Sequence, residues 1–526
     1  MKDTKFSINE ILSGTLSLTI STLIVKILGV IYKIPLAAIL GEEGMGYFNS
    51  AYTIYGFFYL LCTAGAPKAV MILVSRCNAN GDKDAARKIV QEAIRVFMLI
   101  GTVSFAILTI LAVPLSSLIG NSRAYMTIIA VAPSIIFISV AAVLRGYLSS
   151  NLKLLDIAVS QIIEGVCKLA IGLIAAGLSS RACLPLHVVS AMTILGVSFG
   201  SVAGLIYLVI TSGIKITKYN TRQNGVSRDL FRISLPITLS AAIMSGTNII
   251  DLGLIMKSLK SIGYSESEAG ALYGNYTTMA VPMLGLALAI LAPISTAFMP
   301  IFSKEIAQND SNSLMEAEKS AIRISTLVSL PLLFGVAFYS KEILSMLFPA
   351  LNVELGAALT CLLSPAIFFA SILLIVNSSL EAGGKVKAPL ISMIIGCLAK
   401  IIISYILIRN ETIGIMGAPI GTTCSYCISL CVSVIIYNVE YGRNIAMEKG
   451  LIGLVLLSLS TVILSRKVYY FLTKNIGNLM SLFVSVFFCA ALYFGLFVLY
   501  NLFLAKKTGR VAKYTKFNPL NCKLNT

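Results

Sequence analysis

Long apolar stretches alternate with short polar ones along the whole chain. A helix needs about 20 predominantly apolar residues to cross the hydrocarbon core of a bilayer, and fourteen stretches approach or exceed this length. The pattern therefore predicts an all-α polytopic membrane protein with about fourteen transmembrane helices. The predicted spans are 11–40, 46–74, 89–119, 124–148, 157–178, 188–211, 230–256, 271–302, 321–339, 355–380, 388–408, 413–437, 451–464 and 479–504.

The sequence also repeats itself weakly when it is shifted along its own length. Residues 74–96 align without a gap with residues 302–324, and a second alignment, at an offset of 232, places Lys168 over Lys400. Each repeat would hold six spans, and because six is even, both halves are expected to have the same orientation in the membrane. We predict a first six-helix lobe, a basic linker, a second six-helix lobe, two additional helices and a basic tail, at 1–212, 213–229, 230–437, 438–504 and 505–526.

Charge is scarce and mostly basic. Only 12% of the residues are charged, whereas soluble domains carry about 25%. The net charge of +18 comes from Lys and Arg scattered between apolar stretches, which argues against nucleic acid as a partner. The alternate loops that include both chain ends hold most of these residues. We therefore expect both termini on the cytoplasmic side of the cytoplasmic membrane, beside anionic membrane lipids.

Motifs for catalysis are scarce. The chain lacks H-E-x-x-H and a complete G-x-x-x-x-G-K-[ST]. A single histidine, His187, leaves a structural zinc site with few ligands, and the eleven cysteines lie mostly within apolar stretches. We therefore expect a protein that is not an enzyme and that holds neither a metal nor a cofactor.

Three lysines fall inside the first two predicted spans. A charge buried in a membrane costs roughly 2.5–3.5 kcal/mol on insertion scales and usually faces a cavity. Lys26 and Lys33 are seven residues apart, so they share a helix face about 10 Å apart along the axis. Lys68 follows a Gly-Ala-Pro sequence, where a helix break would free backbone groups that must face protein or water. The three lysines predict a cationic cavity that binds an anion. The alternative is that the long side chains reach outward to the membrane surface.

Four more ionisable residues in or beside the spans are candidates. Glu164 and Lys168 are four residues apart in the fifth span, so they could neutralise each other along one helix or take part in gating. Asp251, the solitary acid of the seventh span, is either a sodium or proton coupling site or a salt-bridge partner that latches the two halves together. Arg145, at the end of the fourth span, could grip phosphate at the cytoplasmic mouth, although anchoring at the membrane surface also explains it.

Several short segments resemble those of one family. They are KILG (26–29), GEEGMGY (41–47), GAPKAV (65–70), LRGYL (144–148), SQIIE (160–164), LPIT (235–238) and GAPIG (417–421). They are similar to segments of the oligosaccharide and lipid flippases of the MATE-like (MOP) superfamily, in the branch of stage V sporulation protein B and MurJ. The resemblance covers nearly the whole chain.

The resemblance implies two six-helix lobes that form a V around a cavity open alternately to each face, with two added helices that form a groove for a polyprenyl tail. It implies outward transport of undecaprenyl-diphosphate-linked saccharides, such as lipid II or another polysaccharide precursor, by a protein expected to be monomeric. The lipid II members carry arginines in the first span where this chain has Lys26. A lysine keeps the charge but lacks the bidentate guanidinium fork.

Two other classes stay open at this point. A multidrug or cation antiporter of the same superfamily would prefer acids in its cavity, whereas cations outnumber acids in the membrane-embedded part of the first half. A membrane scaffold would have no need of buried lysines. If the protein transports, then sodium, protons or the membrane potential could drive it.

Overall fold

The structure, a computed structural model, has helices as its only regular secondary structure within the residues it describes, which are 8–79, 81–214, 224–308, 310–385, 387–443, 445 and 451–507. For some helical residues, Lys26 among them, only the backbone is described. Most of the predicted linker and of the basic tail lies outside these residues. The α-helices of the described residues are α1 Ile8–Thr63, α2 Ala66–Ala79, α3 Lys83–Ile110, α4 Ala112–Leu118, α5 Tyr125–Val131, α6 Ser134–Ser150, α7 Leu154–Arg181, α8 Leu186–Ser212, α9 Asn224–Ser261, α10 Glu266–Asn275, α11 Val281–Ala307, α12 Ser311–Leu347, α13 Val353–Leu363, α14 Pro365–Ala382, α15 Lys387–Ile408, α16 Gly417–Tyr441, α17 Leu451–Ile476 and α18 Asn478–Lys507.

The length and apolar character of these helices fit a membrane protein. Eleven helices among the described residues could cross a membrane, or twelve if the bent pair Ser122–Val131 and Ser134–Ser150 forms one span. The predicted all-α polytopic fold is therefore confirmed. The predicted number of fourteen is not confirmed, because Ile27–Asn78 counts as one 52-residue helix where two spans were predicted, and α9 is not among the eleven.

The two halves repeat the same packing of helices. In the first half α6 contacts α2, α3 and α8, while α7 pairs with α8; in the second half α14 contacts α11, α12 and α16, while α15 pairs with α16. The α7 and α8 backbones approach closely where Gly172 faces Gly196. The α15 and α16 backbones approach where Ser404 faces Gly421. Small residues permit such close helix contacts inside a membrane, where apolar burial alone gives little driving force.

Local breaks interrupt several of the described helices. Gly41 has a φ of 63°, a conformation that residues with a Cβ rarely adopt, and α1 turns there. Pro133 separates α5 from α6, which are bent by 42°. Tyr276–Ala280 form a π-helical turn between α10 and α11, shortly before Pro282. A π-helical turn changes which backbone carbonyls are bonded within the helix, and such turns often occur at functional sites.

One contact between the two halves lies at an end of the bundle that we call the joined end, which carries Glu42, Ser122, Glu266 and Asn352. In addition, α9 of the second half packs against α1 and α2 of the first. Asn275 Nδ2 donates to Glu42 Oε1 at 3.0 Å, and the backbone N–H of Asn352 donates to the same oxygen. Ser122 of the first half donates to Glu266 of the second half through its backbone N–H and its hydroxyl. Hydrogen bonds from two separate loops therefore hold the halves together at this end.

Glycines allow α1 and α10 to touch at the joined end. A Cβ at Gly46 would collide with the backbone carbonyl of Gly270, and a Cβ at Gly274 would collide with the carbonyl oxygen of Glu42 and the backbone N of Gly46. Backbone atoms cannot move aside as a flexible side chain can. Any larger residue at these positions must therefore separate the halves.

The last two helices lie against the second half. Both α17 and α18 contact α12, and they pair with each other. The hydroxyls of Tyr339 and Ser465 are 2.7 Å apart in this contact, and Arg466 pairs with Glu342 at 3.5 Å. Arg466, which interrupts the thirteenth predicted span, therefore has an acidic partner on α12.

We expect Gly274→Ala to destabilise the joined end, because the added methyl group meets backbone atoms on α1. Overpacking of this kind costs about 1–3 kcal/mol, which should lower the midpoint of thermal unfolding measured by circular dichroism. Gly177→Ala is the matched control, since a Cβ at this α7 position would meet nothing within 4 Å. Equal midpoints for the two variants would contradict the close contact of α1 and α10.

Candidate functional site

Four adjoining cavities lie between the two halves. Tyr52 lines the first three and Ser245 lines the last three, so they form one connected space. The lysine cavity, of about 280 Å³, is lined by residues that include Tyr32, Lys33, Tyr52 and Lys168, and the arginine cavity, of about 520 Å³, by residues that include Tyr52, Tyr59, Arg145, Glu164, Lys168 and Ser245. The central cavity, of about 440 Å³, is lined by residues that include Lys33, Tyr52, Ser245, Asn248, Asp251, Tyr273, Tyr276 and Lys400. The aspartate cavity, of about 320 Å³, is lined by residues that include Ser245, Asn248, Asp251, Lys400 and Tyr426.

Lys33 reaches from α1 in the first half to the π-helical turn of the second half. Its Nζ donates to the backbone carbonyl of Thr277 at 3.0 Å. The carbonyl is free because the turn uses bonds five residues apart, as in Val281 N–H to Tyr276 O, and the next donor in that series would be Pro282. Proline has no N–H. The Lys33 ammonium therefore replaces a missing backbone donor and joins the two halves inside the cavity.

Lys168 lies on α7 and faces the same lysine cavity. Its Nζ donates to the hydroxyl of Tyr52 at 3.1 Å, and it lies 4.5 Å from the Tyr52 ring centroid and 5.6 Å from that of Tyr32. Aromatic faces attract cations without removing their charge. Among the described residues, no carboxylate lies within 4.0 Å of the Lys33 or the Lys168 ammonium. Within the described part of the chain, both lysines therefore lack a counter-charge in this cavity.

Glu164 pairs with an arginine, and the predicted pairing of Glu164 with Lys168 along α7 is wrong. Arg145 Nη2 donates to Glu164 Oε2 at 2.8 Å, and Arg145 Nε donates to the Ser160 hydroxyl at 3.3 Å. The Arg145 side chain is only 11% exposed. A guanidinium with a fixed fork of donors satisfies a half-buried carboxylate better than an ammonium that must bend back along its own helix. Arg145 lines the arginine cavity but is already neutralised there.

Asp251 forms a salt bridge within the second half. Lys400 Nζ on α15 donates to Asp251 Oδ2 on α9 at 2.8 Å, and both side chains are less than one-fifth exposed. The predicted latch between the halves is therefore wrong, because both partners belong to the second half. Asp251 Oδ1 is buried and has no hydrogen-bond partner in the described part of the chain. That part also contains no group of three His, Cys, Asp or Glu side chains placed to hold a metal ion.

Lys68 does not line any of these four cavities. Lys68 is exposed at the start of α2 and interacts electrostatically with Glu381 at the end of α14. The helix break before Ala66 lies where Gly65 packs closely against the backbone of Ser234. The backbone of Lys26 lies in α1, but its side chain is outside the described residues, so its predicted role stays a prediction.

The lysine cavity lies between α1 and α11. Gly29 and Val30 of α1 line it on one side, and Pro282, Gly285 and Leu286 of α11 line it on the other. A Cβ at Gly29 or at Gly285 would meet nothing within 4 Å. The two glycines therefore leave open space between these helices, beside the two lysines.

Sequence reasoning missed Lys400 and the π-helical turn. Lys400 was visible as the repeat counterpart of Lys168, and a lysine in the eleventh span could have been paired with the solitary acid of the seventh. The turn had a weaker signal: Pro282 follows two threonines inside an apolar stretch. Which carbonyl the proline leaves free, and which side chain reaches it, depends on packing between the halves.

Comparison with protein families gives the class of the protein. The model of the family described as "Polysaccharide biosynthesis protein" matches residues 11–306, and the model described as "MatE" matches residues 277–406. The first match covers more than half of the chain. The chain therefore belongs to the polysaccharide biosynthesis protein family, within the MATE-like superfamily, and the resemblance predicted from the sequence is confirmed.

Known relatives and a solved structure extend this result. Stage V sporulation protein B of Bacillus subtilis (strain 168) is 24% identical over 424 residues, which are 78% of this chain and 80% of the relative. Lipid II flippase MurJ of the same organism is 24% identical over 485 residues, 85% of this chain and 86% of the relative. The structure "Lipid II flippase MurJ, inward closed conformation" covers 94% of this chain and 99% of that chain, with a TM-score of 0.72 and 16% identity. This last likeness concerns the fold alone.

We expect Asp251→Asn to lower the free energy of unfolding by about 3–5 kcal/mol, because Lys400 would be left as a buried charge without a partner. The double variant Asp251→Asn with Lys400→Met should recover much of the loss, since it leaves no unpaired charge. Circular dichroism during heating measures both. The control is Glu354→Gln, whose ion pair with Lys341 is exposed and should contribute less than about 1 kcal/mol. A double variant no more stable than the single one would contradict the pairing.

Proposed function

We propose that this protein is a flippase that moves undecaprenyl-diphosphate-linked saccharides, such as lipid II or a related polysaccharide precursor, outward across the cytoplasmic membrane. The observation that carries this proposal is the pair of lysines, Lys33 and Lys168, that face one cavity with only neutral partners among the described residues. The names of the relatives support the same activity. No covalent bond is made or broken in such a transport step, which fits the scarcity of catalytic motifs.

The charge of the cavities supports an anionic cargo. Their described lining holds four basic side chains, Lys33, Arg145, Lys168 and Lys400, and two acidic ones, Glu164 and Asp251. Each acid is paired with one base, so two positive charges remain uncompensated. A diphosphate can compensate both. Charged groups inside a membrane protein are costly unless a partner or a cavity stabilises them, and the cargo itself would supply that partner.

The open space between α1 and α11 supports a lipid-linked cargo. We propose that this space, beside Gly29 and Gly285, is a lateral opening from the lysine cavity to the lipid around the bundle. A polyprenyl chain could stay in the bilayer while its diphosphate enters between α1 and α11 and reaches Lys33 and Lys168. The polar head would thereby avoid the hydrocarbon core, which it cannot cross unaided because charge is costly there.

We further propose that the cargo controls the joined end through Lys33. The ammonium of Lys33 holds the Thr277 carbonyl of the other half, and a phosphate oxygen is a stronger partner for it than a neutral carbonyl. When Lys33 turns to the diphosphate, one bond between the halves is lost. With both termini on the cytoplasmic side, the joined end is the outer end. Binding of the cargo would therefore favour opening toward the outside, as alternating access requires.

The membrane potential would drive this cycle in the useful direction. A potential that is negative inside repels the diphosphate outward, and it draws the empty, positively charged cavity back inward; each unit charge gains about 2.3 kcal/mol per 100 mV. Asp251 needs no added sodium ion or proton for charge balance, because Lys400 already supplies a cation. We therefore propose the potential, rather than an ion bound at Asp251, as the driving force.

The multidrug alternative finds less support in the cavities. An exporter of organic cations needs an acid that is free to pair with its cargo. Both acids in the described lining, Glu164 and Asp251, are held by basic side chains at 2.8 Å. An organic cation would also meet Lys33 and Lys168, whose like charges repel it.

Lys33→Met and Lys168→Met are each expected to reduce flipping by tenfold or more, because a hydrogen bond to a charged group is worth roughly 1.5–3 kcal/mol. Flipping is measured in proteoliposomes as the appearance of a fluorescent polyprenyl-diphosphate saccharide on the opposite face. Lys341→Met, which removes an exposed lysine of α12, is the matched control and should transport normally. Wild-type rates in both cavity variants would refute the cationic mechanism.

Pro282→Ala tests the proposed link between the cargo and the joined end. Alanine restores a backbone N–H that can bond to the Thr277 carbonyl, so Lys33 is released without being removed. We expect tighter binding of a polyprenyl diphosphate, by a few fold, and faster hydrogen–deuterium exchange over 266–280.

The control for this variant is Pro293→Ala in the same helix, α11, where the described residues place no lysine on a neighbouring backbone carbonyl. This change should leave both measurements near the wild-type values. Unchanged affinity and exchange in Pro282→Ala would show that Lys33 does not couple cargo binding to the joined end.

A further inference from the structure

The ion pair of Arg145 and Glu164 rests on a single hydrogen bond. Arg145 Nη2 donates to Glu164 Oε2 at 2.8 Å, while Arg145 Nε donates to the Ser160 hydroxyl instead of to the second carboxylate oxygen. Arg145 Nη1 and Glu164 Oε1 have no hydrogen-bond partner among the described residues, and neither atom is buried. Bidentate pairs of a guanidinium with a carboxylate are the strong ones. This weaker pair leaves one atom of each charged group within reach of a third group.

Both side chains line the arginine cavity, which is larger than the other three cavities. The Arg145 side chain is 11% exposed and that of Glu164 is 23% exposed. Lys168 follows Glu164 on α7, about 6 Å farther along the helix axis, and it lines both the arginine and the lysine cavity. A diphosphate in the arginine cavity can therefore pass from Arg145 to Lys168 by moving about one helical turn.

The arginine cavity lies on the side from which the cargo would arrive. Arg145 is close to the end of α6 at Ser150. On α7, Glu164 lies closer than Lys168 to the start of the helix at Leu154. With both termini on the cytoplasmic side, these two helix ends are cytoplasmic. A cargo that enters from the cytoplasm would therefore meet Arg145 and Glu164 before it meets Lys168.

An arginine without a counter-charge at this place would hold the cargo too strongly. The diphosphate of a polyprenyl-diphosphate saccharide is a diester with two ionised groups, which Lys33 and Lys168 can already balance. A free guanidinium would add a third positive charge and a fork of donors that fits phosphate. A site on a transport path must bind strongly enough to admit its substrate and weakly enough to let it leave. A counter-charge on Arg145 therefore favours release.

The second ion pair of the cavities does not have the same freedom. The oxygen of Asp251 that Lys400 leaves without a partner is buried, and both side chains are less than one-fifth exposed. The corresponding oxygen of Glu164 is not buried. The pair of Asp251 with Lys400 is thus suited to holding helices together, whereas the pair of Arg145 with Glu164 is suited to exchange.

We propose that Glu164 competes with the cargo for Arg145, so that Arg145 receives the diphosphate first and then releases it to Lys168. The entering phosphate replaces Glu164 on the guanidinium, and the return of Arg145 to Glu164 displaces the phosphate toward Lys168. In the interval Lys168, one turn away on the same helix, balances the charge of Glu164. Arg145 contacts the cargo, whereas Glu164 is a positioning residue that acts through Arg145. This inference rests on the proposed flippase function and adds a transfer step to it.

The test compares affinity with transport rate in the full-length protein. Affinity for undecaprenyl diphosphate is measured in nanodiscs by native mass spectrometry, and the flipping rate is measured in proteoliposomes at saturating fluorescent polyprenyl-diphosphate saccharide. We expect Glu164→Gln to bind about tenfold tighter, because the cargo no longer competes with a carboxylate for Arg145. The same variant should flip several-fold more slowly, because the cargo leaves Arg145 more slowly. Loss of a merely structural residue would lower both quantities.

Three further variants complete the test. Arg145→Met with Glu164→Gln removes both charges and should bind no tighter than the wild type. Glu164→Asp keeps the charge on a shorter side chain, so it should change both quantities in the same directions by a smaller factor, and it carries the test if Glu164→Gln does not fold. Glu354→Gln, the matched control, removes the acid of an exposed ion pair with Lys341 and should leave both quantities at the wild-type values.

The outcomes separate the transfer step from the flippase function. If Glu164→Gln binds no tighter than the wild type, or if its tighter binding persists without Arg145, the transfer step is overturned and the flippase proposal stands. Tighter binding with an undiminished flipping rate would also overturn it, because release would then not depend on Glu164. A wild type that neither binds undecaprenyl diphosphate nor moves the saccharide would refute the flippase proposal and the transfer step with it.

Discussion

Compensation of buried charge is the constraint on which this structure depends. An ionised side chain inside a membrane protein must find a counter-charge, a hydrogen-bond partner or a polar cavity. The protein applies different solutions to neighbouring residues. Arg145 and Lys400 are paired with carboxylates, whereas the partners of Lys33 and Lys168 among the described residues are a carbonyl and a phenol. The paired residues hold helices together within one half. The unpaired ones concentrate positive charge in the cavity beside the lateral opening.

The backbone contributes to this arrangement as much as the side chains do. A π-helical turn followed by Pro282 leaves the Thr277 carbonyl without a backbone donor, and Lys33 is the group that satisfies it. An α-helical turn with a non-proline residue at position 282 would satisfy its own carbonyls. The bond between the halves therefore exists because the helix of the second half is locally incomplete. This bond joins an ammonium to a neutral carbonyl, so an anionic group that reaches Lys33 can replace the carbonyl as its partner.

The sequence predicted the fold better than the site. Hydrophobic periodicity and length are local properties, so they identified an all-α polytopic protein and the family, although they did not settle the number of spans. They also identified Lys33, Arg145, Glu164, Lys168 and Asp251 as ionisable residues within or beside the spans. The sequence did not give the partner of each ionisable residue, because partners come from distant segments. Glu164 pairs with Arg145, which α6 places beside it, rather than with Lys168 on its own helix. Lys68 does not line the four cavities but interacts with Glu381 on α14, a contact between the two halves that the sequence did not predict.

The internal repeat shows how one ancestral pattern can serve two purposes. Lys168 and Lys400 occupy equivalent positions of equivalent helices, and both reach the connected cavities. In the first half the residue four positions earlier, Glu164, is held by Arg145, which leaves Lys168 unneutralised; in the second half Asp251 of α9 neutralises Lys400. The two equivalent lysines therefore differ in effect: Lys168 provides positive charge on one side of the cavities, and Lys400 balances the charge of Asp251 on the other. A cargo with an anionic and a neutral polar part matches this asymmetry, whereas a symmetric pair of lobes would treat both parts alike.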